Sequence, residues 1–295
     1  MDKRALLYNL LGDLPPRDRP MQVRVLSVED HGTYTLEKLE MDVNGLELVP
    51  AVFIKPKNVT GKIPAILYNH PHGNKYDHGK KEFFIARNDN LSWADQIIGM
   101  GYAALCMDMW CFGERNTRTE LETFKEMLWK GQSLWGMMVY DTLRGFDYLL
   151  SCDDIDTSRI GTLGLSMGST MAWWVAALET RIKLCADICC LSDFEELIKT
   201  DALKYHGIYY YVPSLIKHFS SAHINALIAP RAHISVAGDL DPLTPPAGLE
   251  RIDEALKYAY ADKPEHWKLL RWADVGHKEI PAMRQEIISF LKEFL

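Results

Sequence analysis

Ser166 sits in the run Gly164-Leu165-Ser166-Met167-Gly168, which follows an apolar, strand-like segment ending at Leu165 and opens a helix-compatible one. A Gly-x-Ser-x-Gly at a strand-to-helix turn holds the serine in a tight backbone, its glycines letting strand and helix approach closely. The hydroxyl then projects clear of the sheet, beside the first N–H groups and the positive dipole end of the helix, where a tetrahedral oxyanion would form. A neutral serine is a weak nucleophile. Acyl transfer at Ser166 therefore needs a base, an acid that orients the base, and a second oxyanion donor.

The sequence offers all three in an order that fits. The acid is expected in Gly238-Asp239-Leu240-Asp241-Pro242, after the apolar run His233–Ala237. Asp241 is preferred over Asp239 because Gly238 turns the chain at the strand end and sets a carboxylate a few residues on; Asp187 and Asp193, after the preceding strand, are the weaker alternatives. The base is expected at His277, in Val275-Gly276-His277-Lys278, just past the last strand. The spacings 241 − 166 = 75 and 277 − 241 = 36 leave room for two strand–helix units and then one, so each loop emerges at the same sheet edge. His277 would take the Ser166 proton and return it to the leaving alcohol, while Asp241 fixes its tautomer. The oxyanion donors are expected to be the backbone N–H of Met167 and that of Asn74, just past Gly73 in the loop Asn69-His70-Pro71-His72-Gly73-Asn74.

Other chemistries fit less well. His70, His72 and His78 have no matching acidic or cysteine cluster and no H-E-x-x-H, so no metal is expected. Gly73 to Lys80 departs from a phosphate loop in spacing, with Lys81 where Ser or Thr belongs, and Gly161, Gly164 and Gly168 fail the dinucleotide spacing. No cofactor is expected. The 33 basic and 40 acidic residues give a net charge of −7, which disfavours nucleic acid and anionic membranes as partners. The start, MDKRALLYNLLGDLPP, lacks the form of a secretory signal, and no stretch approaches the ~20 apolar residues of a membrane span. The six cysteines show no C-x-x-C spacing, which fits a reduced, cytoplasmic protein.

These residues must be positioned by a sheet. Residues 4–11 suggest a short amphipathic helix, and segments near 21–28, 34–41 and 46–55 are extended, with a hairpin signal at Asn44-Gly45. From residue 64 short apolar strands alternate with helices. Strands are expected at Ala65–Asn69, Ala103–Met107, Ile160–Leu165, Leu184–Ile188, His233–Ala237 and Trp267–Arg271, and helices over 92–99, 133–151, 167–178, 246–260 and 281–294. Trp135, Val139, Leu143, Phe146 and Leu150 form one apolar stripe. Such alternation demands a mostly parallel sheet with helices on both faces, here after an antiparallel start. Two excursions break the rhythm, about Phe112–Lys130 and about Phe194–His223. The second is rich in aromatics, and those exposed over 205–219 would suit a lid or the contact of a homo-oligomer.

Taken together, His72-Gly73, the Ser166 motif, Gly238-x-x-Asp241 and Gly276-His277 resemble those of the α/β-hydrolase superfamily, most closely its dienelactone hydrolase-like and acetyl xylan esterase-like branch. The run from Asp108 to Arg115 is similar to an Asp-x-x-Gly-x-Gly loop of that branch, as is Ala229-Pro230-Arg231. The resemblance covers roughly residues 46–295. It implies one α/β-hydrolase domain over 1–295, with an N-terminal extension of about 1–45 and a cap-like insertion of about 194–223. It implies a cofactor-free serine esterase acting on small carboxylic esters through an acyl-enzyme. Dienelactone hydrolases proper use cysteine where this chain has Ser166, and the propeller of prolyl oligopeptidase-like relatives does not fit in 295 residues. A small peptidase or amidase with the same triad is the alternative, and an idle scaffold used for binding is a third. Trp110 and Phe112, at the mouth of their strand, and His72 are the substrate-pocket candidates, against the plainer reading that Trp110 and Phe112 cover the sheet edge.

Overall fold

The computed structural model describes residues 2–57 and 59–295. Among these residues, nine strands form one sheet: Gln22–Asp30 (β1), Tyr34–Asp42 (β2), Val49–Pro56 (β3), Ile63–Asn69 (β4), Ala103–Met107 (β5), Ile155–Leu165 (β6), Leu184–Ile188 (β7), Ala232–Gly238 (β8) and Trp267–Trp272 (β9). Their spatial order is β1-β2-β3-β5-β4-β6-β7-β8-β9. The first three pair antiparallel, β3 joins β5 antiparallel, and the remaining pairs are parallel. Segment 1–45 is therefore built into the sheet through β1 and β2 instead of standing apart from it.

The helices are Lys3–Leu10 (α1), Trp93–Gly99 (α2), Glu120–Trp129 (α3), Leu134–Ser151 (α4), Met167–Leu178 (α5), Phe194–Lys199 (α6), Ser221–Ala226 (α7), Pro246–Ala259 (α8) and Pro281–Phe294 (α9). Two apolar layers cover the sheet. Ala65 and Leu67 of β4 pack into the layer holding α1, α4, α5 and α8, whereas Ile66 and Tyr68 face the layer holding α2 and α9. Period-2 alternation on a strand buried on both faces has this consequence: every position is apolar, and parity alone decides the layer. The stripe of α4 delivers Trp135, which meets Trp174 of α5 edge-on at 6.2 Å.

The expected strands and helices are present, with ends shifted by a few residues where polar positions hide them; β6, for example, begins at Ile155, its first half masked in the sequence by the exposed Thr157, Ser158 and Arg159. Between β2 and β3 lies a six-residue connection in place of a two-residue turn. Asn44 is buried there, its side chain donating to Asp141 at 2.8 Å and accepting from the amides of Leu46 and Glu47, so its turn chemistry anchors a wider loop. The aromatics of the 194–223 insertion are largely buried: Tyr209, Tyr210 and Phe219 belong to the core, and Tyr209 packs on Trp135 at 5.5 Å. Of that group Tyr205 stands exposed, so the expectation of an exposed aromatic surface is corrected.

In the parallel part, β5 lies to one side of β4 and β6 to the other, so the chain reverses its direction of advance at β4. The loops leaving β4 and β6 separate there, opening a crevice at the carboxyl end of the sheet. Ser166 and the His70–Asn74 loop sit at that switch point.

Candidate active site

Ser166 is the residue before α5 and has φ 58° and ψ −119°, a conformation that side chains rarely adopt. Close approach on both sides imposes it. A Cβ on Gly164 would lie 2.0 Å from the carbonyl oxygen of Gly168, and one on Gly168 would lie 1.9 Å from that of Asn69. The amide of Ser166 donates to Ile188 of β7 at 2.9 Å, which ties the turn to the neighbouring strand.

His277 Nε2 stands 2.8 Å from Ser166 Oγ, and His277 Nδ1 stands 2.6 Å from Asp241 Oδ2. A carboxylate only accepts, so Nδ1 carries the proton donated to Asp241 and Nε2 is left to accept from the Ser166 hydroxyl. Asp241 is buried, and its Oδ1 accepts from the amide of Leu243 at 2.9 Å. The loops carrying the two residues are stitched together, with Asp239 donating to Trp272 and Leu240 to Val275, each at 2.9 Å. Asp239 itself faces away and pairs with Arg271 at 2.6 Å.

The other acids have separate tasks. Asp193 caps α6 and pairs with Arg251 at 2.7 Å. Asp187 lies fully buried in β7, accepting from His233 Nε2 at 2.7 Å and from Ser235 at 2.7 Å, with Ser169 at 3.3 Å. Cys185, Asp187 and His233 bring ligand-type atoms within 4.8 Å of one another, yet the carboxylate is already occupied by hydroxyl and imidazole donors. Sequence reasoning missed this network because its members lie on β7, β8 and α5 and share no spacing signal.

The predicted oxyanion donors divide. The Met167 amide, first in α5, donates to no protein acceptor among the described residues and lies next to Ser166. Asn74 is a correction: its amide donates to its own loop, to His72 Nδ1 at 3.1 Å, because Gly73 and Asn74 both take positive φ and curl the chain back on itself. The amides of His72 and Gly73 have no protein acceptor among the described residues, and Gly73 lines the cleft beside Ser166.

The three substrate-pocket candidates are also corrected. The cleft at Ser166, about 210 Å³, is lined by Pro71, Gly73, Leu165 and His277 together with charged residues. Trp110 lies elsewhere, under the Arg115 guanidinium at 4.4 Å. Phe112 is fully buried, with its ring 4.9 Å from that of His72 and 5.1 Å from that of Tyr76. His72 Nε2 meets Glu120 of α3 at 3.2 Å. Phe112 and Glu120 brace His72 behind the cleft, and Trp110 packs apart from it. His70, whose pKa is lowered by burial, donates from Nδ1 to the Pro71 carbonyl at 3.0 Å and accepts the Met109 amide on Nε2 at 3.1 Å, tying the loop after β4 to the loop after β5. His78 is engaged by Glu82, so the three histidines have three different partners.

All six cysteines are unpaired, and burial pushes the Cys106, Cys185 and Cys189 thiols well above their ordinary range. No helix among the described residues is long and apolar enough to cross a membrane.

The family profile for acetyl xylan esterase (AXE1) matches residues 24–224. The protein YtaP of Bacillus subtilis (strain 168), named as a hydrolase, is 46% identical over 299 aligned residues, covering 100% of this chain and 99% of that one. Among solved structures, the acetyl xylan esterase from Paenibacillus sp. R4 is 18% identical with a TM-score of 0.68, covering 100% of this chain and 93% of that one. A glucuronoyl esterase from Solibacter usitatus is 15% identical with a TM-score of 0.72, covering 99% and 92%. At such identities the likeness is one of fold. Family match and relative agree with each other: the chain belongs to the acetyl xylan esterase family and is a carboxylic ester hydrolase of the α/β-hydrolase fold.

Proposed function

We propose that the protein hydrolyses small carboxylic esters, acetyl esters of carbohydrates first among them, through an acyl-enzyme on Ser166. The observation that carries this reading is the unbroken chain from Ser166 Oγ through His277 to Asp241, with contacts of 2.8 and 2.6 Å. His277 Nε2 takes the hydroxyl proton as Ser166 Oγ bonds to the ester carbonyl carbon. The oxyanion is met by the Met167 amide and by one from the His72–Gly73 turn, each such donor being worth about 3–4 kcal/mol of barrier. Collapse expels the alcohol, which receives the proton from His277. Water, deprotonated by the same imidazole, then attacks the acyl-Ser166 carbonyl and releases the acid and the free serine. Asp241 stays ionised throughout and stabilises the imidazolium.

Acetyl as the acyl group is supported by the family and by the modest volume of the cleft. The test is a panel of nitrophenyl acyl esters of rising chain length set against aminoacyl nitroanilides, with wild type and Ser166→Ala. Fast turnover of the acetyl ester, weak turnover of anilides and a loss on the order of 10⁴–10⁶-fold in the variant are expected. Anilide turnover exceeding ester turnover would replace this reading with that of a peptidase or amidase.

A further inference from the structure

The Ser166 cleft is cationic on an acidic protein. Its walls carry Lys75, Arg87 and Lys278 against Glu82 and Glu279. Both carboxylates are already claimed. Glu82 is buried and holds the Arg87 guanidinium and the His78 ring. Glu279 is buried in a two-bond fork with Arg284, at 2.6 and 2.8 Å. Lys75 and Lys278 are exposed and have no ion-pair partner among the described residues. Two uncompensated ammonium groups thus border the nucleophile, one from the loop after β4 and the other from the residue following His277. The whole chain carries −7, so the surrounding surface repels anions while this opening attracts them.

Resting on the esterase reading above, we infer that the cleft selects esters whose alcohol or acyl part bears a carboxylate, held between Lys75 and Lys278 while Ser166 attacks the ester carbonyl. A compact ammonium on a flexible stem suits such a role, because it follows a carboxylate over a range of positions without demanding one fixed geometry. Contacts of this kind act chiefly on encounter and orientation, so they appear in kcat/KM and weaken with salt.

The probes are 4-acetoxybenzoate, which is anionic, and its neutral methyl ester. The readout is the ratio of their kcat/KM values, compared between wild type and the double variant Lys75→Gln, Lys278→Gln. Comparing ratios cancels differences in leaving group and any change at His277, which both probes share. The ratio should fall by about 3- to 10-fold in the double variant, as expected for exposed charge contacts. In wild type, raising NaCl from about 20 mM to about 200 mM should lower the ratio, and in the double variant salt should have little effect on it. A ratio unchanged by both substitution and salt, with both esters turned over, overturns the inference and leaves the esterase reading standing. Failure of wild type to hydrolyse either ester removes that reading and the inference with it.

Discussion

Gly238 of β8 lies against Val275 so closely that a Cβ on the glycine would fall 2.1 Å from the Val275 carbonyl oxygen. This contact brings the strand that ends before Asp241 into backbone register with the loop that leads to His277. The two loops are consequently joined as one unit, and the imidazole is presented to Ser166 by packing as well as by hydrogen bonding.

From that arrangement Asp241 and Asp239 have different consequences when neutralised. Asp241→Asn should lower kcat by about 10³–10⁴-fold, since an amide facing Nδ1 favours the wrong tautomer of His277. Asp239→Asn removes an ion pair with Arg271 at the rim and should change kcat by no more than about 3-fold. Steady-state kinetics on one acetyl ester checks both.

Gly168 and Gly276 also separate by contact. Gly168→Ala sets a methyl group against the Asn69 backbone at 1.9 Å and should cost about 3 kcal/mol or more of stability. At Gly276 an added Cβ would meet nothing closer than the Leu240 carbonyl oxygen at 3.8 Å, so Gly276→Ala should fall within about 0.5 kcal/mol of wild type. Urea unfolding of the two variants measures the contrast.

Much of this was legible in the chain. The helix over 167–178 and the strands Ala103–Met107 and Leu184–Ile188 have the ends that apolar periodicity implies. The positions of Ser166, Asp241 and His277 follow from strand order, because each lies one turn beyond a strand whose neighbours are fixed by the parallel sheet. What lay beyond the sequence is direction. Trp110 and Phe112 follow β5 closely, but positive φ at Cys111 and Gly113 turns that loop, so Phe112 ends behind the His72 turn and Trp110 ends under Arg115. Glu120 reaching His72, and Lys278 and Lys75 lining one cleft, involve elements far apart in the chain with no spacing rule between them.

His206, in the 194–223 insertion, gives a pH dependence. Burial lowers its pKa from 6.5 to about 4, with the nearby His277 acting in the same direction and its contact with the Leu243 carbonyl opposing. Between those values the unfolded chain binds more protons than the folded one. Stability fully present above pH 6.5 is therefore lost as pH falls toward 4, by at most about 3 kcal/mol. His206→Gln, which keeps an amide donor for Leu243 without a titrating ring, should flatten this loss. Unfolding midpoints at pH 7 and near pH 4.5 for both proteins will show it; parallel losses in the two would assign acid sensitivity to other groups.

In the proposed mechanism His277 makes the hydroxyl of Ser166 nucleophilic. Treatment with a fluorophosphonate, followed by peptide mapping, tests it most directly. One stoichiometric adduct is expected, located on Ser166, with loss of esterase activity in step with labelling and with labelling nearly abolished in His277→Ala. An adduct on another residue, or full activity retained after Ser166 is labelled, would contradict it.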